Sequence, residues 1–378
     1  MTETRPALVR FALDGLVPYE PGKPVETVQR ELGLERVVKL ASNEGPFGPF
    51  PQAVEAIERA TRELNRYPDG GCYRLREALA ERHGVAFDET VVAAGADAVI
   101  GYACFATLDP GDEIVTPWPS FPSYVLDPLK LAATPVRVEL AEGRVDVDGL
   151  LGAVTPRTKL VFLPTVNNPT GTALSRDDVL RFLDEVPDDV LTIVDEAYVE
   201  YVDDPAFPDA IEVAVKEGRN VLALRTFSKI YGLAGLRVGY GVGPAPVIAA
   251  IRKVQRAFDV TTLAQEAALA SLGGADELAR RRAANREAMT LLEAVLRARG
   301  FMPIVPAVGN FLYVDVAEDA AALNDALLRR GVIVRPMGSF GATTALRITA
   351  GNPDEISFLA EQLAAVTADG SGPVPAGD

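Results

Sequence analysis

Short apolar and β-branched runs alternate with longer helical patterns through the middle of the chain. Strands are predicted at residues 89–95, 112–117, 158–165, 189–197, 220–228 and 236–243. Helices are predicted at 96–108 and 175–186, where apolar side chains recur every three to four residues. This alternation is typical of an α/β fold with a mainly parallel central sheet. Because such sheets bind ligands at the carboxyl ends of their strands, functional residues are expected there.

The C-terminal part of the sequence has a different pattern. A helical stretch at 275–300 is followed by short predicted strands at 310–316, 331–337 and 345–350, with a helix at 319–331. This order predicts a second, smaller α+β domain. The first 40 or so residues have little periodicity and are expected to pack on the rest of the chain. We therefore predict an N-terminal arm with part of the small domain (1–44), a large domain (45–265), a small C-terminal domain (266–368) and a disordered tail (369–378).

Composition and charge exclude several classes of protein. With a formal net charge of −16, the chain lacks the clustered cations that bind nucleic acid. It has neither the start of a signal peptide nor an apolar run of the roughly 20 residues that span a bilayer. Cys72 and Cys104 are too few for a disulfide framework or a thiolate metal cluster, and the single histidine, His83, is expected to cap a helix or lie on the surface. These features predict a soluble cytoplasmic protein with neither a membrane nor a nucleic-acid partner.

Two predicted strands end in residues that suit ligand binding. Gly95 closes one strand, and Ala96 and Asp97 open the next helix, so the backbone N–H groups there form an anion site. The strand at 158–165 leads into "NNPTG" (167–171), which presents two amide side chains at the sheet edge. The same residues also suit an ordinary tight turn.

A third predicted strand is hydrophobic and ends in a carboxylate. Asp195 ends this strand, and Tyr198 follows three residues later. A carboxylate in this setting is costly to bury unless it is paired with a cation or a strong donor. A structural salt bridge and a metal ligand are both open at this point.

A fourth strand leads to a lysine among apolar neighbours. Lys229 is preceded by Thr226 and Ser228 and is followed by Arg237. Apolar surroundings lower the pKa of a lysine and make its amine a usable nucleophile and proton-transfer base. Two hydroxyls and an arginine beside it form a plausible phosphate cradle.

One cofactor class accounts for all four strand ends. A pyridine aldehyde phosphate needs an amine, an anion near the ring nitrogen, donors to its phenolate oxygen, a phosphate site and an aromatic ring over its own. Each requirement has a candidate here, and Phe121 in "PWPSFPSY" supplies the last. This assignment uses no metal.

The ordered motifs also resemble a known family. The chain is similar to fold-type I pyridoxal-phosphate aminotransferases, and most closely to the histidinol-phosphate aminotransferase branch. The resemblance runs from about residue 17 to 351 and is carried by "LASNEGPFGP", "NRYPDGGCYRLREALA", "NNPTG", "VDEAYVEY" and "RTFSKIYGLAGLRVGY". It implies a large cofactor-binding domain with a mainly parallel sheet and a smaller α+β domain built from both chain ends.

The resemblance also implies roles for individual residues. Lys229 would form the internal aldimine with pyridoxal 5'-phosphate, and Asp195 would pair with the pyridinium nitrogen. Asn168 and Tyr198 would donate to the ring oxygen. The remaining cofactor contacts implied are Gly95, Ala96, Asp97, Phe121, Thr226, Ser228 and Arg237.

Subunit and substrate contacts are implied as well. Tyr67 of the "RYPD" motif would reach the cofactor phosphate of the neighbouring subunit. The resemblance therefore implies a homodimer with shared active sites. Arg335, Arg347 and Tyr19 would bind the substrate. The implied reaction is ping-pong transamination between histidinol phosphate and 2-oxoglutarate in histidine biosynthesis.

Several other functions stay open at the level of sequence. An aromatic amino-acid aminotransferase and a phosphothreonine decarboxylase would share the same fold and cofactor residues. A dinucleotide-binding oxidoreductase is suggested by "GYGVG" (239–243), although its spacing does not match G-x-G-x-x-G. A catalytically silent cofactor-binding regulator is disfavoured by the intact Lys229.

Overall fold

The structure is a computed structural model that describes residues 9–18, 22–317 and 319–368. The helices are α1 Val25–Leu32, α2 Pro51–Ala60, α3 Tyr73–His83, α4 Ala96–Thr107, α5 Ser123–Lys130, α6 Val147–Gly152, α7 Arg176–Glu185, α8 Ala245–Val254, α9 Thr262–Ser271, α10 Ala275–Arg297, α11 Ala320–Arg329 and α12 Pro353–Ala368. The strands are β1 Val38–Lys39, β2 Thr90–Ala93, β3 Glu113–Trp118, β4 Thr134–Glu139, β5 Thr158–Pro164, β6 Leu191–Asp195, β7 Val221–Thr226, β8 Gly239–Val242, β9 Met302–Pro303, β10 Phe311–Asp315, β11 Val332–Ile333, β12 Arg335–Pro336 and β13 Ala345–Thr349.

A seven-stranded sheet forms the centre of the molecule, with strand order β2-β8-β7-β6-β5-β3-β4. Strands β4, β3, β5, β6 and β7 are parallel, whereas β8 runs antiparallel to both β7 and β2. A parallel neighbour would need a crossover connection, usually a helix. Residues 227–238, which join β7 to β8, contain only one short 3₁₀ turn, so this connection suits an antiparallel pair. The α/β fold with a mainly parallel sheet is confirmed.

Successive residues of the central strands pack into two separate apolar clusters, one on each face of the sheet. In β7, Val221 and Ala223 belong to one cluster, and Leu222 and Leu224 belong to the other. Every residue of β6 and β7 is buried. This explains why these strands read as continuous apolar runs. The polar side chains at their carboxyl ends are thereby held between well-packed neighbours.

Smaller sheets involve both ends of the chain. Strands β12, β13, β10 and β9 form an antiparallel sheet in that order, and β1 pairs in parallel with β11. Side chains from α10, α11 and α12 pack with these strands in one apolar cluster. The boundaries of the two domains stay a prediction, and the tail at 369–378 lies outside the described residues.

Two local expectations differ from the structure. The strand expected at 331–337 is divided into β11 and β12, because β11 pairs with β1 whereas β12 pairs with β13. The N-terminal arm, where the sequence has little periodicity, nevertheless contains helix α1, whose buried Val28 packs with Ala41 and Ile333. No helix in the described part of the chain is long and apolar enough to cross a membrane.

Candidate active site

A cavity of about 240 Å³ opens at the carboxyl ends of β5, β6 and β7. It collects residues that are far apart in the sequence and come from both the central sheet and the C-terminal strands. Its lining comprises Gly22, Ala41, Ser42, Asn43, Gly95, Ala96, Asp97, Ile100, Phe121, Tyr124, Val166, Asn168, Asp195, Ala197, Tyr198, Thr226, Ser228, Lys229, Arg237, Arg335 and Arg347.

Lys229 enters this cavity from the segment that follows β7. Its Nζ lies 3.5 Å from the carbonyl oxygen of Ser42 and 5.4 Å from the ring centre of Tyr198. Burial lowers the pKa of Lys229 to about 8, and the positive charge of Arg347 contributes in the same direction. A substantial fraction of the amine is therefore neutral near pH 8, as nucleophilic attack and proton transfer require.

Asp195 ends β6 and points towards α4 and α5. It continues the alternation of Leu191 and Ile193, which pack on that face of the sheet. The Tyr124 hydroxyl donates to Asp195 Oδ2 at 2.5 Å, and the Ala197 N–H donates to Oδ1 at 2.9 Å. Burial raises the pKa of Asp195, while these two donors favour its ionised form. The carboxylate is thus poised to accept a further donor or a cation from a ligand.

An anion cradle lies at the N-terminus of α4. Gly95 precedes the helix with φ 94°, and a Cβ at this position would lie 3.1 Å from Arg237 Nη2. A Cβ at Gly239 on β8 would overlap the Ala96 nitrogen. The absence of both side chains lets the arginine and β8 approach the free N–H groups of the helix. This arrangement concentrates positive charge where the sequence predicted a phosphate.

Two hydroxyls close the same cradle. The Thr226 hydroxyl donates to Ser228 Oγ at 3.0 Å, and the Ser228 N–H donates to Thr226 Oγ1 at 3.1 Å. Both residues are buried and line the cavity beside Arg237. Asp97, at the start of α4, also lines the cavity, and its carboxylate accepts a hydrogen bond from the Ser123 hydroxyl.

Polar contacts link the opposite wall of the cavity to the C-terminal strands. The Asn43 amide donates to Tyr198 Oη at 2.8 Å. Arg347 donates through Nη1 to Asn168 Oδ1 and through Nη2 to the Ala41 carbonyl, the latter at 2.6 Å. The contact with Arg347 occupies the oxygen of the Asn168 amide, so the NH₂ group is the part that can donate to a ligand.

Arg335 and Arg347 lie opposite each other on adjacent antiparallel strands. They are register partners in the β12–β13 pairing, and both line the cavity. Arg347 is only 6% exposed, whereas Arg335 is half-buried. Two guanidinium groups at one side of a cavity provide a strong site for an anionic substrate group.

The remaining candidates lie in different places. Phe121 lines the cavity and contacts Tyr124 edge-on, with 5.7 Å between the ring centres. Tyr67 is 81% exposed and does not line the cavity of its own chain. Tyr19 lies outside the described residues. The assignment of these site residues stays a prediction.

Several cavity residues escaped the sequence analysis. Tyr124, Ser42 and Asn43 contact the predicted residues, but they belong to no strand end. The available signal for Tyr124 was its position one helical turn after Phe121. The expectation that His83 caps a helix or lies on the surface was wrong in part: it ends α3, but it is buried and its Nε2 lies 3.0 Å from Tyr240 Oη. Burial lowers its pKa to about 3, so it stays neutral there.

The sequence matches the family "Aminotransferase class I and II" over residues 35–363. The chain belongs to this aminotransferase family. Among its class I and II aminotransferase relatives, the histidinol-phosphate aminotransferase of Akkermansia muciniphila is 44% identical over 351 residues, 92% of this chain and 95% of the relative. An aromatic amino acid aminotransferase of Thermobifida fusca is 41% identical over 356 residues, 94% of this chain and 96% of the relative.

Solved aminotransferase structures share the fold. The crystal structure of histidinol-phosphate aminotransferase from Sinorhizobium meliloti in complex with pyridoxal-5'-phosphate matches with a TM-score of 0.87 and 27% identity. The match covers 96% of this chain and 99% of that chain. These findings confirm the family and the fold-type I architecture predicted from the motifs.

Proposed function

We propose that this aminotransferase transfers an amino group between histidinol phosphate and 2-oxoglutarate and thereby serves histidine biosynthesis. Relatives at 40–44% identity that cover most of the chain carry the name histidinol-phosphate aminotransferase. The predicted cofactor, pyridoxal 5'-phosphate, is confirmed by the family together with the complex of the Sinorhizobium meliloti enzyme.

The residues of the cavity fit this cofactor. The lack of a Cβ at Gly95 and Gly239 lets Arg237 and β8 come close to the N-terminus of α4, and the donors of the cradle formed there suit a phosphate. Asp195 is a buried carboxylate that suits a protonated ring nitrogen. Lys229 supplies a neutral amine, and Asn168 and Tyr198 supply donors for the ring oxygen. When bound, the cofactor supplies the carbonyl and the electron-withdrawing ring that make the substrate Cα–H acidic.

The chain's own side chains would then move the proton. Lys229 Nζ would take a proton from the substrate Cα and deliver it to the carbon that carries the cofactor's carbonyl, because its pKa of about 8 allows both protonation states near neutral pH. Asp195 would hold a negative charge for the protonated ring nitrogen, aided by Tyr124 and the Ala197 N–H. Asp195 is buried and Lys229 is half-buried, so a bound cofactor and substrate would leave little room for water to compete for the transferred proton.

The observation that carries the substrate assignment is the facing pair Arg335 and Arg347. A phosphate monoester has up to two negative charges and three acceptor oxygens, so it can use two guanidinium groups at once. In the second half-reaction, the same pair would hold a carboxylate of glutamate or 2-oxoglutarate. Asn168 and the Ala41 carbonyl fix one guanidinium of this pair in place.

We also propose a homodimer in which Tyr67 serves the partner's phosphate site. Its phenol makes no hydrogen bond among the described residues, and its ring is exposed. Other large apolar side chains are also exposed on segments near it or on helices α4 and α8, which pack together: Leu64, Phe105, Val254 and Phe258. Such a set suits a subunit interface. A cytoplasmic location is consistent with two buried, free cysteines.

Single half-reactions test the substrate. The cofactor-loaded enzyme is mixed with histidinol phosphate, phenylalanine, glutamate or phosphothreonine, and the loss of the cofactor's visible absorbance is followed. We expect fast conversion by histidinol phosphate and by glutamate. An Arg335→Met variant should slow the reaction with histidinol phosphate more than the reaction with phenylalanine, which has no phosphate.

The relative from Thermobifida fusca supports a second candidate, an aromatic amino-acid aminotransferase. Fast conversion by phenylalanine together with slow conversion by histidinol phosphate would establish that function instead. Release of carbon dioxide from phosphothreonine would identify a decarboxylase.

A further inference from the structure

Tyr67 does not stand alone on the surface of the molecule. Its ring stacks on that of Phe258, with 4.6 Å between the ring centres and 18° between the planes. Both rings are substantially exposed, Tyr67 at 81% and Phe258 at 46%. An exposed tyrosine normally samples several rotamers, and a stacked partner restricts them.

The backbone of Phe258 also has an unusual conformation. Phe258 has φ 55°, a left-handed conformation that is rare for a bulky side chain. Such outliers persist where the surroundings impose them, and they concentrate at functional sites. Phe258 lies between α8 and α9 and has no role in the cavity of its own chain.

The neighbouring residue Asp259 is held in place by three polar contacts. Its carboxylate accepts from the Ala94 N–H at 3.0 Å and from the Tyr102 hydroxyl at 2.9 Å, and it pairs with Arg256 at 3.1 Å. Ala94 directly precedes Gly95 of the anion cradle. The turn that carries Phe258 is therefore tied to the phosphate site of its own chain.

The loop that carries Tyr67 is tied to the same turn from the other side. Gln265 donates through Nε2 to the carbonyl oxygens of Asp69 and Val260, both at 2.9 Å. Gly70 lies against the Phe258 ring, where a Cβ would make ordinary contact at 3.4 Å. Loop and turn thus form one connected unit whose outer end is the phenol of Tyr67.

We infer that Phe258 is a positioning residue for cofactor binding in the partner subunit: its ring holds Tyr67 in the orientation that reaches the partner's phosphate. This inference depends on the cross-subunit role of Tyr67 proposed above. Because Asp259 links the same turn to Ala94, each chain's anion cradle supports the residue that completes the other chain's cradle.

A double-mutant cycle on the full-length protein tests this inference. The dissociation constant of pyridoxal 5'-phosphate is measured by absorbance titration for the wild type, Phe258→Ala, Tyr67→Ala and the double variant. We expect Phe258→Ala to weaken binding by about 3- to 10-fold, in line with the energy of an aromatic pair. In the Tyr67→Ala background the second substitution should have no further effect, since Phe258 acts through Tyr67. Phe258→Tyr, which keeps the stack, should retain wild-type affinity.

Two further measurements separate positioning from stability. Phe258→Gly removes the ring and also relieves the backbone strain, so it should weaken cofactor binding without lowering the free energy of unfolding. The ³¹P resonance of the bound cofactor should shift in Phe258→Ala as it does in Tyr67→Ala, while sedimentation still shows a dimer.

The outcomes distinguish the inference from the function on which it depends. If Tyr67→Ala weakens binding and Phe258→Ala multiplies that loss independently, or has no effect on its own, the inference is wrong and the cross-subunit contact stands. If Tyr67→Ala leaves the affinity unchanged, both are wrong.

Discussion

The amine of Lys229 owes its reactivity to the charges and burial around it. The positive charges of Arg347 and Arg237 lower the pKa of Lys229, whereas the negative charges of Glu44 and Asp195 raise it. Burial is the largest influence, and the outcome is a pKa of about 8. The pKa of a surface lysine is about 10.4, so almost none of its amine would be neutral near pH 7.

This setting predicts the pH dependence of cofactor capture by the apoprotein. Capture requires the neutral amine, so its rate should rise as the pH increases through about 8 and then level off. In Arg347→Met the loss of a nearby positive charge should move the midpoint upward, by roughly half to one pH unit or ~1 kcal/mol. Stopped-flow absorbance measures the rate. Arg335→Met is the control and should leave the midpoint in place, since Arg335 is not among the main influences on Lys229.

Tyr124 gives a second prediction at the scale of one residue. Its hydroxyl favours the ionised form of Asp195, so Tyr124→Phe should raise the pKa of that carboxyl. Activity is lost when Asp195 is protonated, so the acid limb of kcat/KM should move to higher pH. The expected shift is roughly one to two units, the equivalent of the ~1.5–3 kcal/mol of a hydrogen bond to a charged group.

The control for this prediction is another buried tyrosine. Tyr201→Phe removes a phenol that does not contact Asp195, and it should leave the acid limb unchanged. The ring of Tyr124 stacks on Phe162 with 4.4 Å between the ring centres, so phenylalanine retains the packing. An unshifted acid limb in Tyr124→Phe would show that Asp195 does not depend on this donor.

At the scale of secondary structure, the phosphate cradle depends on the spacing between β8 and α4. The tight contact at Gly239 is possible because β8 runs antiparallel to β7 and brings its first residue against the start of α4. Arg237 lies two residues before this strand and has φ 55°. The cradle is therefore a property of how two elements meet rather than of a local motif.

Gly239→Ala tests this spacing. Its added methyl overlaps the Ala96 nitrogen, so helix and strand must separate. Affinity for pyridoxal 5'-phosphate should fall by about 10- to 100-fold, the equivalent of the ~1–3 kcal/mol of an overpacked contact. Affinity for pyridoxal, which lacks the phosphate, should change less. Gly235→Ala, where an added Cβ meets nothing within 4 Å, should behave like the wild type in both titrations.

The elements also show what local sequence can and cannot predict. Apolar runs gave β5, β6 and β7 within a few residues, because strands buried on both faces leave a continuous hydrophobic pattern. The direction of β8 and the division of 331–337 into β11 and β12 depend on partners far away in the chain. Tyr124 was missed for the same reason, since its contact with Asp195 spans 71 positions.

At the scale of the whole molecule, the active site collects residues from nearly the entire described chain, from Gly22 to Arg347. The N-terminal segment contributes Ser42 and Asn43, and the C-terminal strands contribute the two arginines. Strand-end reasoning located the cofactor residues of the central sheet. The arginine pair and Tyr67 were found only through the resemblance to a family, because nothing local marks an exposed tyrosine or a strand arginine as part of a site.

A mixing experiment tests whether the complete site spans two chains. Tyr67→Ala and Lys229→Ala proteins are each expected to have low activity, the second by about 10²–10⁴-fold from loss of the base. In a mixed dimer, one site combines Lys229 of the first chain with Tyr67 of the second and is intact, while the other site lacks both. Random exchange makes half of the dimers mixed, so about a quarter of the wild-type activity should return. If Tyr67 served its own chain, no site in the mixture would be intact and the activity would stay at the average of the two variants. Mixing Lys229→Ala with Asp195→Asn, two residues of the same cavity, is the control and should restore nothing.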